Sequence, residues 1–151
     1  MVRYPTCVIC NLEFESKSQR GRAGKICSPF CFRLYHHDLK HKRRTETIEG
    51  TISQILGAAK KRAKSKNIDF SITTNDLNNL LNKQNNCCNI TNIPFELSGS
   101  KSPWTISLDR IDNEKGYTLD NVQLVCWMYN NCKNKWSDKE VVTFAKALCA
   151  Q

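Results

Sequence analysis

Residues 104–133 read WTISLDRIDNEKGYTLDNVQLVCWMYNNCK, and this stretch decides the fold. Thr105-Ile106-Ser107-Leu108 is a β-rich run that ends in Asp109-Arg110-Ile111-Asp112. A polar turn follows from Asn113 to Gly116, where glycine is expected to supply a left-handed conformation. Asn121-Val122-Gln123-Leu124-Val125 reads as a second short strand, and the sequence from Cys126 is compatible with a helix. Strand, turn, strand and helix in so few residues leave little core of their own.

Outward from this stretch, Ser137-x-x-Glu140 is a capping box. It opens a helix whose Val141, Val142, Phe144, Ala145 and Leu148 are expected to close the core. Upstream, Ser98 to Pro103 has the composition of an exposed loop. Thr74-Asn75-Asp76 is placed to cap a helix carrying Leu77, Leu80 and Leu81, which Asn85-Asn86 ends. Asn67 to Ile72 alternates apolar and polar residues, as a short strand or an extended link would. Ile48, Ile52, Ile55, Leu56, Ala59 and Ala63 recur at helical spacing, with Thr45 or Thr47 available as the cap.

At the front, Cys7-x2-Cys10 and Cys27-x3-Cys31 form two close pairs. Nine cysteines in a chain whose first residues lack a signal-peptide core argue for reduced thiols and an intracellular setting. Four thiolates at these spacings suit tetrahedral Zn²⁺. Glu13-Phe14-Glu15 is a plausible hairpin rim, and Ser28-Pro29 supply the N-cap and first turn of a helix carrying Phe32, Tyr35 and Leu39. The pattern resembles a treble-clef-like zinc finger. His36, His37 and His41 on the same helix are expected to meet solvent or phosphate rather than metal.

The net charge is +9, and residues 1–70 hold all of the excess, with 15 Lys and Arg against 6 Asp and Glu. Residues 71–151 balance at 8 against 8. A basic front half suits a polyanion, most simply nucleic acid. The candidate DNA contacts are Lys42, Arg43 and Arg44, then Lys60, Lys61, Arg62 and Lys64 on the next helix, and Lys133. No apolar run approaches the ~20 residues of a membrane helix.

Asp109-Arg110-Ile111, Asn121, and Asn130 followed three residues later by Lys133 together resemble the HNH endonuclease superfamily and its ββα-metal motif. Arg110 stands where that superfamily usually has a general-base histidine, and a histidine-less branch with Asp-Arg-x-Asp…Gly-Tyr…Asn wording is the more specific likeness. The core resemblance covers residues 86–148.

It implies an α+β fold in three parts: a four-cysteine zinc-finger module with a basic helix (1–44), a helical DNA-binding or linking segment (45–85) and a ββα-metal nuclease core (86–151). It implies that Asp109 and Asn130 hold a catalytic Mg²⁺ or Mn²⁺ and that Asn121 steadies the loop bearing position 110. Arg110 then binds the scissile phosphate, replaces the base, or marks an inactive site. Asp112, two residues along an extended strand, would share its face and orient the guanidinium or accept the proton. A second zinc of the kind many such proteins carry would use the positions of Cys88 and Thr91 and of Cys126 and Tyr129, where half of the ligands are missing; Cys87 and Cys132 are the available substitutes, but Cys126 and Cys132 are six apart on a helix and point to largely different faces. The implied activity is metal-dependent hydrolysis of double-stranded DNA, with a homodimer needed to cut both strands close together. The alternative is a zinc-dependent DNA-binding protein on an inactive HNH scaffold.

Overall fold

The computed structural model describes residues 4–16, 25–97 and 102–150. The chain divides into two compact units, Met1–Arg43 and Arg44–Gln151.

In the first unit, Thr6 and Glu13 pair across a tight turn in which the Cys7 N–H donates to Leu12 O at 2.8 Å. Asn11 takes φ 58° there, a conformation that asparagine tolerates better than most residues. Val8 N–H donates to Lys25 O at 3.0 Å and draws in the second cysteine segment. Helix α1 (Pro29–Thr45) starts beneath the Ser28 hydroxyl, which accepts from Cys31 N–H at 3.2 Å. Cys31 is the one buried residue of α1, while Phe32, Tyr35 and Leu39 line an open groove with Val8, Ile26 and Pro29.

The second unit runs α2 (Ile48–Lys66), α3 (Thr74–Lys83), β1 (Ile106–Arg110), β2 (Val122–Cys126), α4 (Trp127–Lys133) and α5 (Asp138–Cys149). Thr47 caps α2, accepting from Gly50 N–H at 3.0 Å, and Asn67 ends it at φ 50°. The cap of α3 is Thr73, one residue before the expected position, because Asp76 serves as the third-position partner of a capping box. β1 and β2 pair antiparallel with Asp109 opposite Gln123. Side chains alternate across this hairpin. Ile106, Leu108, Val122 and Leu124 join Ile52, Ala59, Ala63, Leu77 and Leu81 in one core, so residues 45–85 and the hairpin form a single unit. The opposite face, with Ser107, Asp109, Gln123 and Val125, carries α4.

Two apolar expectations are corrected. Ile48, the first residue of α2, stays largely exposed. α5 does not close the core: none of its residues is buried, Val141 and Val142 are half-buried, and Phe144 and Leu148 are exposed. Its neighbour is α4, whose seven residues offer only about two turns of surface. No helix among the described residues is long and apolar enough to cross a membrane.

Gly116 is also corrected. No described glycine has positive φ; the left-handed positions all fall on asparagines. Gly116 is needed for close approach instead, since a Cβ there would lie 2.3 Å from Asp69 O. The next residue clamps the same segment: Tyr117 N–H donates to Asp69 O at 2.8 Å and Ser71 N–H to Tyr117 O at 3.1 Å. The turn between the strands is thereby sewn to the α2–α3 link. Gly116→Ala is expected to displace backbone from backbone and cost about 1–3 kcal/mol. A thermal midpoint equal to that of the unmodified chain would show that the clamp contributes nothing.

Candidate metal and phosphate sites

Cys7, Cys10, Cys27 and Cys31 converge in the first unit, with all four Sγ atoms within 4.8 Å of one another. Cys10 Sγ and Cys27 Sγ are 3.4 Å apart, and Cys27 Sγ and Cys31 Sγ 3.6 Å. Four sulfurs at about 2.3 Å from a tetrahedral Zn²⁺ would be separated by about 3.8 Å, so the donor set fits the ion. The Cys10 backbone N–H holds the Cys7 thiol down to about 6, whereas Cys27, whose sulfur lies against that of Cys10, is pushed up to about 12. Four thiolates this close need a cation between them, and these residues could hold one.

In the second unit, the hairpin face beneath α4 carries a polar network. Asp109, only 4% exposed, accepts on Oδ2 from Gln123 Nε2 at 2.9 Å and from Lys133 Nζ at 2.6 Å. The fully buried Lys133 also donates to Arg110 O at 2.7 Å and Ile111 O at 3.2 Å and lies 3.1 Å from Asp138 Oδ1. Asp138 in turn accepts from Gln123 Nε2 at 3.0 Å and from the Tyr129 hydroxyl at 2.7 Å. Burial, reinforced by Asp138, pushes the Tyr129 hydroxyl well above its usual range, so it stays a donor.

Lys133 is therefore no DNA contact. It lies three residues after Asn130 on α4, so both face the hairpin. Gln123 and Asp138 are members that the sequence alone did not single out, and Tyr129 entered there only as a zinc-set position. A glutamine in the middle of an apolar strand opposite Asp109 is the signal that marks the first.

Asn130 Nδ2 donates to Ser107 Oγ at 2.7 Å and Leu108 O at 3.2 Å, which turns its amide oxygen away from the strand. A carboxylate and an amide oxygen are donors of the hard-oxygen class that suits a Mg²⁺-sized ion. The Lys133 ammonium thus lies between two carboxylates, Asp109 and Asp138.

Asn121 steadies the turn. Its Oδ1 accepts from Asp112 N–H at 2.9 Å, and its Nδ2 donates to Asp112 O at 3.0 Å and Gly116 O at 2.9 Å.

Arg110 projects to the other side of the hairpin from Asp109. Its Nη1 donates to Lys115 O at 2.6 Å, and its Cζ lies 5.3 Å from the Tyr117 ring centroid. The expected Asp112–Arg110 orientation is corrected, because the strand ends at Arg110 and Asp112 belongs to the turn. Asp112 Oδ1 accepts from Glu114 N–H at 2.9 Å, and Oδ2 lies 3.5 Å from Lys115 Nζ. The Glu114 N–H, with the Lys115 and Arg110 charges, holds this carboxyl below the usual range and makes it a weak base.

Cys88 and Cys126 are buried with Val125 and Tyr129, and Ile90, Phe95, Trp104 and Val141 pack around them. Packed side chains fill this region, and among the described residues the front four-cysteine set is the one group of three or more His, Cys, Asp or Glu that converges on a metal position. Lys42, Arg43, Arg44, Lys60, Lys61, Arg62 and Lys64 are all exposed. In comparison with known proteins, no family model, no curated protein and no solved structure matches the chain.

Proposed function

We propose that this protein is a metal-dependent DNA endonuclease of the HNH type, fastened at its front by a structural zinc. The observation that carries the reading is the placement of Asp109 and Asn130 on one face of a two-stranded hairpin, with Arg110 leaving the same strand end and Asn121 pinning the turn. Asp109 and Asn130 would hold a divalent ion, which when bound supplies charge neutralisation at a phosphoryl oxygen. Arg110, at the strand end on the side opposite Asp109, presents nitrogens that Lys115 O leaves unused and would hold a phosphate of the bound backbone in a planar fork. Cys7, Cys10, Cys27 and Cys31 would hold the zinc. The exposed lysines Lys60, Lys61 and Lys64 of α2, and Lys42 to Arg44, would lie along backbone phosphates. With one such site per chain, cutting both strands close together would take two copies.

A second reading is favoured by one observation. The Lys133 ammonium already occupies Asp109 Oδ2, so the hairpin would bind DNA without cutting it. Incubating the zinc-loaded protein with supercoiled plasmid separates the two. Nicked or linear product with Mg²⁺ or Mn²⁺, absent with EDTA and absent with Arg110→Ala, is the expected result. A plasmid bound and retarded but intact under every condition would leave the inactive scaffold as the function.

A further inference from the structure

Arg62 leaves α2 and Arg110 leaves β1, and both arrive at the same tyrosine. Arg62 Nε donates to the Tyr117 hydroxyl at 3.1 Å, and its Cζ lies 5.9 Å from the ring centroid. The Arg110 Cζ lies 5.3 Å from the same centroid. Tyr117 is itself 5% exposed and fixed through its backbone to Asp69 and Ser71, so the ring is a rigid part of the core. Among the described residues no carboxylate forms an ion pair with either arginine. Asp112 reaches Arg110 through space alone, and Lys115 beside it adds positive charge. Two guanidiniums held against one ring bring two positive charges to it, and an anion beside the ring would be attracted by both.

The donors left over are the informative ones. Arg62 spends its Nε on the hydroxyl and keeps both terminal nitrogens, the fork that grips a phosphate with two parallel hydrogen bonds. Arg110 spends Nη1 on Lys115 O and keeps Nη2 and Nε. Arg62 is exposed while Arg110 is half-buried, so the pair grades from surface to strand end.

We propose that Arg62 is a second phosphate-binding residue acting beside Arg110, and that Tyr117 is the positioning residue that aims both at the nucleic-acid backbone. The choice of ligand rests on the nucleic-acid reading above; the anion site itself rests on the geometry alone. It separates Arg62 from Lys60, Lys61 and Lys64, which share its helix without a fixed partner on the hairpin.

The test measures binding of a short DNA duplex to zinc-loaded protein with no added catalytic ion, so that absence of cleavage leaves the result untouched. Arg62→Ala is expected to weaken binding roughly tenfold and to lower the slope of log affinity against log salt by about one. Arg62→Lys should recover the slope but little of the affinity, because a point charge replaces the fork. Tyr117→Phe keeps the ring in the core and removes the acceptor. It should cost part of the same affinity, and Arg62→Ala should then cost less in that background than alone. Inorganic pyrophosphate at equal phosphate concentration should displace the duplex poorly from both proteins. Unchanged affinity and slope in Arg62→Ala would overturn the proposal. So would independent, fully additive effects of Arg62→Ala and Tyr117→Phe. Displacement by pyrophosphate as effective as by competitor duplex, lost in Arg62→Ala, would assign the site to a free anion and overturn the backbone assignment.

Discussion

Cys27→Ser is expected to unfold Met1–Arg43 and release its metal, while Arg44–Gln151 keeps a cooperative transition of its own. The first unit has almost no core to fall back on: among its described residues only Cys7 and Cys31 are buried. A structural zinc supplies an apparent 10–16 kcal/mol, about as much as a whole domain's net stability. Cys27 is the sulfur that joins the two cysteine pairs, lying 3.4 Å from Cys10 and 3.6 Å from Cys31. Its loss leaves three ligands and separates the pairs. Metal analysis should find about one zinc per unmodified chain and none in the variant. Amide protection should vanish from the Cys7–Cys10 turn and α1, yet persist in α2 and the hairpin. Cys132→Ser and Cys149→Ser, at exposed positions of the second unit, should change neither reading. A zinc-free Cys27→Ser protein that still protects α1 would refute the metal assignment.

The elements legible in the sequence are those whose signals are local. The Ser137 and Glu140 capping box, the Ser28-Pro29 helix start and the cysteine knuckle each rest on residues three or four apart, and each is found in place. The hairpin is readable because Ile106 and Leu108 alternate with Ser107 and Asp109, and Val122 and Leu124 flank Gln123. Its boundaries shift by one residue, since Cys126 ends the strand and precedes the helix.

What escapes depends on packing between distant segments. Gly116 reads as a left-handed turn residue, but its constraint comes from Asp69, far away in sequence. Arg62 reads as one more charge on a basic helix, and only the fold brings it to Tyr117. Lys133 reads as a phosphate contact because lysine is usually exposed. Its burial follows from sharing a helix face with Asn130, a relation that the seven residues of α4 do contain. The apolar face of α5 misleads in the opposite direction, because hydrophobic periodicity marks a face without naming a partner.

Lys133→Met is expected to be the most damaging single change in the second unit. It removes the ammonium from a buried cluster and leaves Asp109 and Asp138 facing each other through Gln123. Breaking a buried pair from one side costs about 3–5 kcal/mol, because the surviving charges keep only neutral donors and little water. Two backbone carbonyls, Arg110 O and Ile111 O, lose their donor as well. Asp109→Asn should cost less, since the ammonium keeps Asp138 at 3.1 Å and both carbonyls. The decisive protein is the double variant. Asp109→Asn combined with Lys133→Met leaves no unpaired charge at either position, and Asp138 keeps Tyr129 and Gln123 as donors. Its stability should exceed that of Lys133→Met alone, giving a coupling of about 0.5–3 kcal/mol in a double-mutant cycle. Denaturant midpoints at matched slopes supply the four corners. Strict additivity would mean that the short Asp109–Lys133 contact contributes nothing to the fold. Plasmid cleavage adds a second readout: the double variant should stay inactive even where it is folded, because stability can be restored by removing the charges whereas a metal ligand cannot. Cleavage by the folded double variant would move the ion away from Asp109 and take the proposed nuclease chemistry with it.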